Sequence, residues 1–209
     1  MHKDTVEVSV ASERAEAYGG VLIALFAALM AISQLVNGEL EEEMMIAHNK
    51  IVNYSNWYQS KSIKESLKES ELDNLEALMY TNTITEDKKS FVYEKIEKTK
   101  LKVAKYKAEK KEILIGSKNL PKKEWVQDLD GKKGVIVGIN EWKLLAKKYD
   151  IATRKFDFGV LFFQISIVLG AVCIIIYDNP KLQKALVIMM VVFGIIGVVM
   201  SIYGYSLAP

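Results

Sequence analysis

The sequence is poor in the residues that most catalytic and metal sites need. It has one cysteine, Cys173, and two histidines, His2 and His48, among 209 residues. One cysteine excludes an intramolecular disulfide and a zinc site built from cysteines. Two histidines leave little for metal binding or general-base catalysis. We therefore predict no catalytic residues, no metal site and no cofactor, and we expect that the protein is not an enzyme.

Net charge is almost absent as well. The chain has 28 basic and 26 acidic side chains, which gives a net charge of +2. Proteins that bind nucleic acid through phosphate contacts usually carry a clear excess of positive charge. We predict no nucleic-acid partner.

Charge is missing altogether from three apolar runs, Gly19–Gly38, Phe158–Tyr177 and Ala185–Tyr205. About 20 helical residues cross a hydrocarbon core of ~30 Å. Three buried helices of a soluble protein would need an implausibly large core for this chain. A cleaved signal peptide is disfavoured for the first run because Glu13 and Glu16 precede it. We predict three transmembrane helices that together contact the lipid bilayer.

The rest of the chain is divided into an N-terminal tail at 1–18, a charged stalk domain at 39–157 and a turn at 178–184. The turn is predicted because Asn179 precedes Pro180, which disfavours a helical conformation at Asn179. The expected fold class is an all-α membrane protein with three transmembrane helices. A long, coiled-coil-like helical stalk is inserted between spans 1 and 2. Basic residues are concentrated in "KLLAKKYDIATRK" before the second span, so the stalk is expected on the cytoplasmic side.

The stalk begins with a heptad-like seam, and no proline or glycine interrupts the chain from Glu39 to Tyr80. Its first members are Leu40, Met44, Ala47, Ile51, Tyr54 and Tyr58. After Tyr58 the apolar spacing slips, and it resumes through Ile63, Leu67, Asn74 and Leu78. We predict one helix with a stutter-like discontinuity at that point.

A second stalk helix is predicted from Glu86 to Ile115, with Thr83 and Glu86 as a capping box and Gly116 as its C-terminal stop. Eight lysines lie in Lys95–Lys111. Such a run is usually a solvated helix face with i,i+4 ion pairs. The alternative is contact with anionic lipid or an acidic protein partner.

A loop with Pro121 and three glycines follows, and its "DLDG" stretch lacks the other ligands of a calcium loop. A further helical seam is expected from Ile139 through Trp142 and Tyr149 into the second span.

The stretch "YSNWYQSKSIKE", residues 54–65, is the most distinctive part of the stalk. On a straight helix Trp57 lies about 29 Å beyond Gly38, too far for an aromatic belt at the membrane interface. Tyr54, Trp57, Tyr58 and Lys61 share one helix face. We predict that this face packs on the helix carrying Trp142 and Tyr149, or on a neighbouring subunit. A cation–π contact is expected between Lys61 and Trp57.

The spans contain no ionisable residue, although such residues usually mark ion pathways. Gln34 and Gln164 are the intramembrane polar residues of interest, and both are placed near the stalk side. An interhelical hydrogen bond is the simpler interpretation. A ring of amides lining a pore in an oligomer is the alternative.

Several stretches together resemble a known family. "VEVSVASERAEAYGGVLIALFAALMAISQLVNG" is similar to its N-terminal segment and first span, and "RKFDFGVLFFQISIVLGAVCIII" and "GIIGVVMSIYGY" to its last two spans. The W-Y-Q-x-K-S-I-K motif is matched by Trp57, Tyr58, Gln59, Lys61, Ser62, Ile63 and Lys64. Ser60 stands where members often have alanine.

The family is catalogued as domain of unknown function 4337. The resemblance implies a bacterial inner (cytoplasmic) membrane protein with three spans, and it implies no activity.

Two functional hypotheses follow. The first is a non-enzymatic, homo-oligomeric scaffold or partner-binding platform with a cytoplasmic helical stalk. The second is a channel or transport component whose pore lies at a subunit interface.

Overall fold

The computed structural model describes residues 2–81, 84–176 and 179–209, with side chains from Glu16 onward. Within these residues four α-helices follow one another: α1 (His2–Tyr80), α2 (Glu86–Ile115), α3 (Ile139–Ile175) and α4 (Pro180–Leu207). Two 3-10 turns, Ser117–Asn119 and Lys122–Glu124, and an antiparallel hairpin of Asp128–Leu129 (β1) and Lys132–Lys133 (β2) lie between α2 and α3.

The predicted all-α fold class is confirmed. α1, α3 and α4 are each long and apolar enough to cross a membrane. The chain divides into two compact units, which we call the membrane unit (residues 1–45 and 146–209) and the stalk unit (residues 46–145).

The membrane unit is built around two aromatic rings and a methionine. Phe26 of α1, Phe163 of α3 and Met190 of α4 are buried together, and the two ring centroids are 6.3 Å apart. Glycines of α4 allow this packing because a Cβ at Gly194 would overlap the Phe26 ring, and one at Gly197 would lie 2.9 Å from the Phe163 ring. The glycines of the third apolar run therefore serve close helix packing inside the chain.

α2 begins at Glu86 and ends at Ile115, as predicted, but its N-cap residue differs from the prediction. Thr85 is the N-cap residue in an extended conformation, and its carbonyl accepts a 2.9 Å hydrogen bond from the Lys88 N–H. Gly116 ends the helix with φ of 92°, a region that favours glycine. Thr83 lies outside the described residues, but the predicted capping box is wrong at Glu86, which is the first residue of the helix and not the third.

α3 begins at Ile139, as predicted, and runs without interruption into the second apolar stretch. Tyr177 and Asp178, which the sequence placed at the end of span 2 and the start of the turn, lie outside the described residues. α4 begins at Pro180, ahead of the predicted start at Ala185. The Asn179 side chain caps it by accepting a 3.2 Å hydrogen bond from the Leu182 N–H.

The predicted slip of the α1 seam after Tyr58 is wrong. One row of buried and half-buried residues keeps a 3.5-residue spacing along the stalk unit: Ala47, Ile51, Tyr54, Tyr58, Lys61, Glu65, Lys68, Leu72, Leu75 and Met79. Ile63 and Leu67, which the slip would have buried, are 62% and 65% exposed. The prediction followed hydrophobicity, whereas the seam continues through charged residues that find partners on α2.

Candidate functional site: a buried ionic cluster in the stalk unit

Two ion pairs connect α1 and α2 at the middle of the seam. The ammonium of Lys61 lies 2.7 Å from a carboxylate oxygen of Glu109, and that of Lys110 lies 2.6 Å from Glu65. Glu65 and Glu109 are only 6% and 4% exposed. The buried Oε2 atoms of Glu65 and Glu109 accept no hydrogen bond from the described residues, so both contacts are ion pairs by distance alone. A buried charge of this kind needs its partner, because desolvation alone would strongly destabilise it.

Each of these lysines also lies over a tyrosine ring of the opposite helix. Lys61 of α1 is 6.0 Å from the ring centroid of Tyr106, and Lys110 of α2 is 5.4 Å from that of Tyr58. Each contact is worth about 0.5–2 kcal/mol, more when the cation is desolvated. The arrangement is reciprocal, since each helix offers a tyrosine and a glutamate to the other helix's lysine.

The distinctive stretch at 54–65 packs against α2. Lys61 contacts Tyr106 and Glu109 of α2. The sequence predicted a contact of Lys61 with Trp57, and packing on the helix carrying Trp142 and Tyr149 or on a neighbouring subunit. Trp57 instead meets Tyr54 edge to face, with centroids 5.7 Å apart. Burial raises the pKa of Tyr54.

The remaining predicted motif residues lie outside this cluster. Gln59, Ile63 and Lys64 are exposed on α1. The residues that sequence reasoning missed are Glu65, Tyr106, Glu109 and Lys110. The available signal was the continued spacing of three and four from Tyr58 to Lys61 and Glu65, which places charges at seam positions.

The lysine run of α2 is largely neutralised by neighbouring carboxylates. Lys95, Lys100, Lys107 and Lys110 pair with acids of α1, and Lys98, Lys105 and Lys111 pair within α2 or with Glu124. A hydrogen bond to Glu69 raises the pKa of Lys107. Of the eight lysines in Lys95–Lys111, Lys102 forms no ion pair within 4 Å with any acid among the described side chains, and it acts on Glu71 at longer range.

A second buried carboxylate organises the connection between α2 and α3. Glu112 is fully buried and accepts hydrogen bonds from the Ser117 hydroxyl at 2.7 Å and from the backbone N–H groups of Val126 and Gln127 at 2.8 and 2.7 Å. The indole N–H of Trp125 donates to the Ser117 carbonyl at 2.7 Å. These bonds fix the loop as a folded part of the stalk unit.

The hairpin in this loop turns at Asp130 and Gly131, whose φ angles are 53° and 78°. Two successive positive φ values are the mark of a type I′ turn, for which Asp-Gly is a preferred sequence. Asp128 accepts a 2.7 Å hydrogen bond from the Gly131 N–H, so it serves the turn. Among the described residues no group of three or more His, Cys, Asp or Glu is placed to hold a metal ion.

Polar contacts also join the helices of the membrane unit. The Ser33 hydroxyl donates to that of Ser201 at 3.0 Å, and the Asn37 amide donates to Asp157 at 2.9 Å and to Glu41 at 3.1 Å. The expected hydrogen bond between Gln34 and Gln164 is not formed. Both side chains are exposed, on α1 and α3 respectively.

Comparison with known proteins identifies the family and no activity. The family model described as "Domain of unknown function (DUF4337)" matches residues 15–207. No curated protein and no solved structure matches the chain. Because the family model covers nearly the whole chain, the protein belongs to the DUF4337 family.

Proposed function

We propose that the protein is a non-enzymatic, homo-oligomeric membrane scaffold whose stalk binds partners on the cytoplasmic side of a bacterial inner membrane. Three helices apolar enough to span a bilayer support its membrane location. The basic residues that precede the second apolar run support the cytoplasmic side for the stalk.

The observation that carries the oligomer is the exposure of Gln34 and Gln164. Each amide lies within an apolar run and faces away from the membrane unit. An amide in hydrocarbon without a hydrogen bond costs several kcal/mol, so each needs a partner from outside the unit. A second copy supplies one, since an amide both donates and accepts.

The stalk unit is suited to a platform because its helix pair is held in one register. The reciprocal cluster of Lys61, Glu65, Glu109 and Lys110 matches charges only when these residues lie opposite one another. A shift by one helical turn would separate the buried charges from their partners. Such a stalk presents its exposed side chains in a fixed arrangement.

The lysine run of α2 remains a proposed contact for an acidic protein or anionic lipid. Because most of its lysines are paired within the chain, a partner must compete with those acids or bind around Lys102. A specific partner recovered with the full chain and lost when residues 83–135 are deleted would support the platform. Retention of the partner by the deleted chain would exclude this segment as the binding surface.

The oligomer is tested with a double variant, Gln34→Leu with Gln164→Leu, and the mass of the detergent-solubilised complex. The wild type is expected at a multiple of the 23.6 kDa chain mass, with a smaller oligomer for the variant. Val168→Leu is the matched control because Val168 is also exposed on α3, at 61%, and carries no polar group. A monomeric wild type would contradict the proposal.

The second candidate is a channel, and the same two amides favour it. In an oligomer, exposed uncharged amides can line a pore as well as bond across an interface. Ion flux through protein-containing liposomes that vanishes in the double variant, while assembly is retained, would favour the channel over the scaffold.

A further inference from the structure

The face of α1 that lies opposite the ionic cluster is exposed along the whole stalk unit. Counted in heptads, one row of this face consists of Asn49, Asn56, Ile63, Ser70 and Ala77, which we call the a positions. All five are exposed. The spacing is the 3.5-residue repeat that two helices keep when they wrap around each other.

The adjoining row, the d positions, consists of Met45, Val52, Gln59, Ser66 and Asp73, and these are also exposed. Nine charged residues lie between Met45 and Met79, and Asp73 is the only one in the two rows. A helix face that contacts only water is expected to contain charged residues in about the same proportion as the rest of the helix surface. The absence of charge here, with Val52 56% and Ile63 62% exposed, indicates a surface that another helix covers.

The same repeat extends backwards into the first apolar run. There the exposed members are Ala24, Ala28, Ala31, Leu35 and Gly38, and the exposed and charged Glu42 follows at the next a position. Nothing lies within 4 Å of the place where a Cβ of Gly38 would stand. Small residues on an exposed face allow two membrane helices to approach closely.

We propose that this face of α1, from Asn49 to Ala77, packs against the same face of a second copy as a parallel coiled coil. The inference rests on the proposed homo-oligomer and names its interface. A partner must offer uncharged residues in the same heptads, and α1 itself has that pattern. Two copies inserted the same way in one membrane present their α1 helices parallel.

The residues at the a positions specify the pairing. Asn49 and Asn56 occupy successive a layers, and a buried asparagine in this position bonds to its equivalent and selects a parallel dimer in register. Ile63 follows in the next a layer, where a β-branched residue favours two strands. Flanking positions such as Asn53, Ser60 and Asn74 are uncharged as well, so Asp73 is the one position of the two rows at which like charges face each other.

Asp73 is the exception, and it provides one test. In the parallel pair two Asp73 carboxylates face each other at a d position and repel. Asp73→Leu is therefore expected to stabilise the dimer, seen as slower dissociation on dilution in detergent. Lys64→Leu is the control, because the exposed Lys64 lies outside the two rows. Faster dissociation of Asp73→Leu would overturn the parallel register.

The main test is disulfide cross-linking of the full-length protein in its native membrane. Cys173→Ser removes the only cysteine, and single cysteines are then placed at Gln59, Ile63 or Ser66, with Lys64→Cys as the control one residue off the rows. A disulfide needs Cβ atoms about 3.8 Å apart, which only facing residues reach. Oxidation is expected to give a covalent dimer from the three row positions and not from Lys64.

The outcomes separate this inference from the proposed function. Two results would overturn the α1 interface and leave the oligomer intact, provided that the solubilised complex keeps a multiple of the chain mass. The first is equal cross-linking at Lys64, and the second is no cross-linking at any row position. A strictly monomeric complex overturns both the α1 interface and the oligomer. Far-ultraviolet circular dichroism of each variant confirms that its helices are retained, so that loss of cross-linking is not loss of folding.

Discussion

The buried pair of Lys110 and Glu65 allows the sharpest mutational prediction. Lys110→Met removes the ammonium but keeps most of the side chain's apolar volume. The Glu65 carboxylate then stays buried, with Lys107 at 4.0 Å as its nearest remaining cation. The variant is expected to be less stable because a buried charge has lost its partner.

The magnitude follows from burial. Breaking a fully buried ion pair by removing one partner costs about 3–5 kcal/mol. The side chain of Lys110 is 19% exposed and Lys107 compensates in part, so the expected loss is about 2–3 kcal/mol. For a unit of about 100 residues this corresponds to a fall in unfolding temperature of roughly 10 °C.

The assay is thermal unfolding of the full-length protein in detergent, followed by circular dichroism at 222 nm. The informative partner variant is Glu65→Leu combined with Lys110→Met, which removes both charges. It should regain most of the lost stability, since a well-packed apolar pair often replaces a buried ion pair without cost. Lys98→Met, at an exposed pair with Glu94, is the control and should leave the transition unchanged.

The reasoning would be refuted by a single variant as stable as wild type, or by a double variant no more stable than the single one. The first result would mean that the Glu65 carboxylate is not held in a buried position. The second would mean that packing of the lysine stem, and not charge, stabilises the seam.

Three further predictions concern other parts of the chain. Glu112→Gln should destabilise the α2–α3 connection by about 2–3 kcal/mol through weaker hydrogen bonds, measured as faster hydrogen exchange of the loop amides. Gly194→Ala should lower the unfolding temperature because its methyl group overlaps an aromatic ring, whereas Gly20→Ala, which meets open space, should not. A lysine hydrogen bond lowers the pKa of Glu71, and a glutamate hydrogen bond raises the pKa of Lys100. The pairs of Glu71 with Lys68 and of Lys100 with Glu76 therefore stabilise the stalk unit between about pH 5 and pH 10, and melting curves should show stability lost below and above that range.

Much of the fold follows from local sequence features. The apolar runs, the absence of proline before Pro121 and the glycine at 116 predict where the helices lie and where α2 ends. The hairpin was missed, although Asp130–Gly131 carried its signal, because its strands are only two residues long and show no alternating pattern.

The buried ionic cluster was harder to predict from the sequence than the fold. Lys61 and Glu65 belong to the buried seam only because Glu109 and Lys110, more than forty residues away, neutralise them. Hydrophobic periodicity cannot register such a pair, so it assigned Ile63 and Leu67 to the seam instead. The same assignment of Ile63 and Leu67 to the buried seam prevented recognition of the exposed face of α1. Its two rows can be identified only when the residues of the buried seam are assigned correctly.

The most direct test of the central claim is the mass of the wild-type complex, measured after gentle extraction from the membrane with bound detergent subtracted. The expected mass is a multiple of the 23.6 kDa chain mass, with twice that mass as the smallest stable species. A strict monomer across the extraction conditions would contradict both the scaffold and its proposed α1 interface.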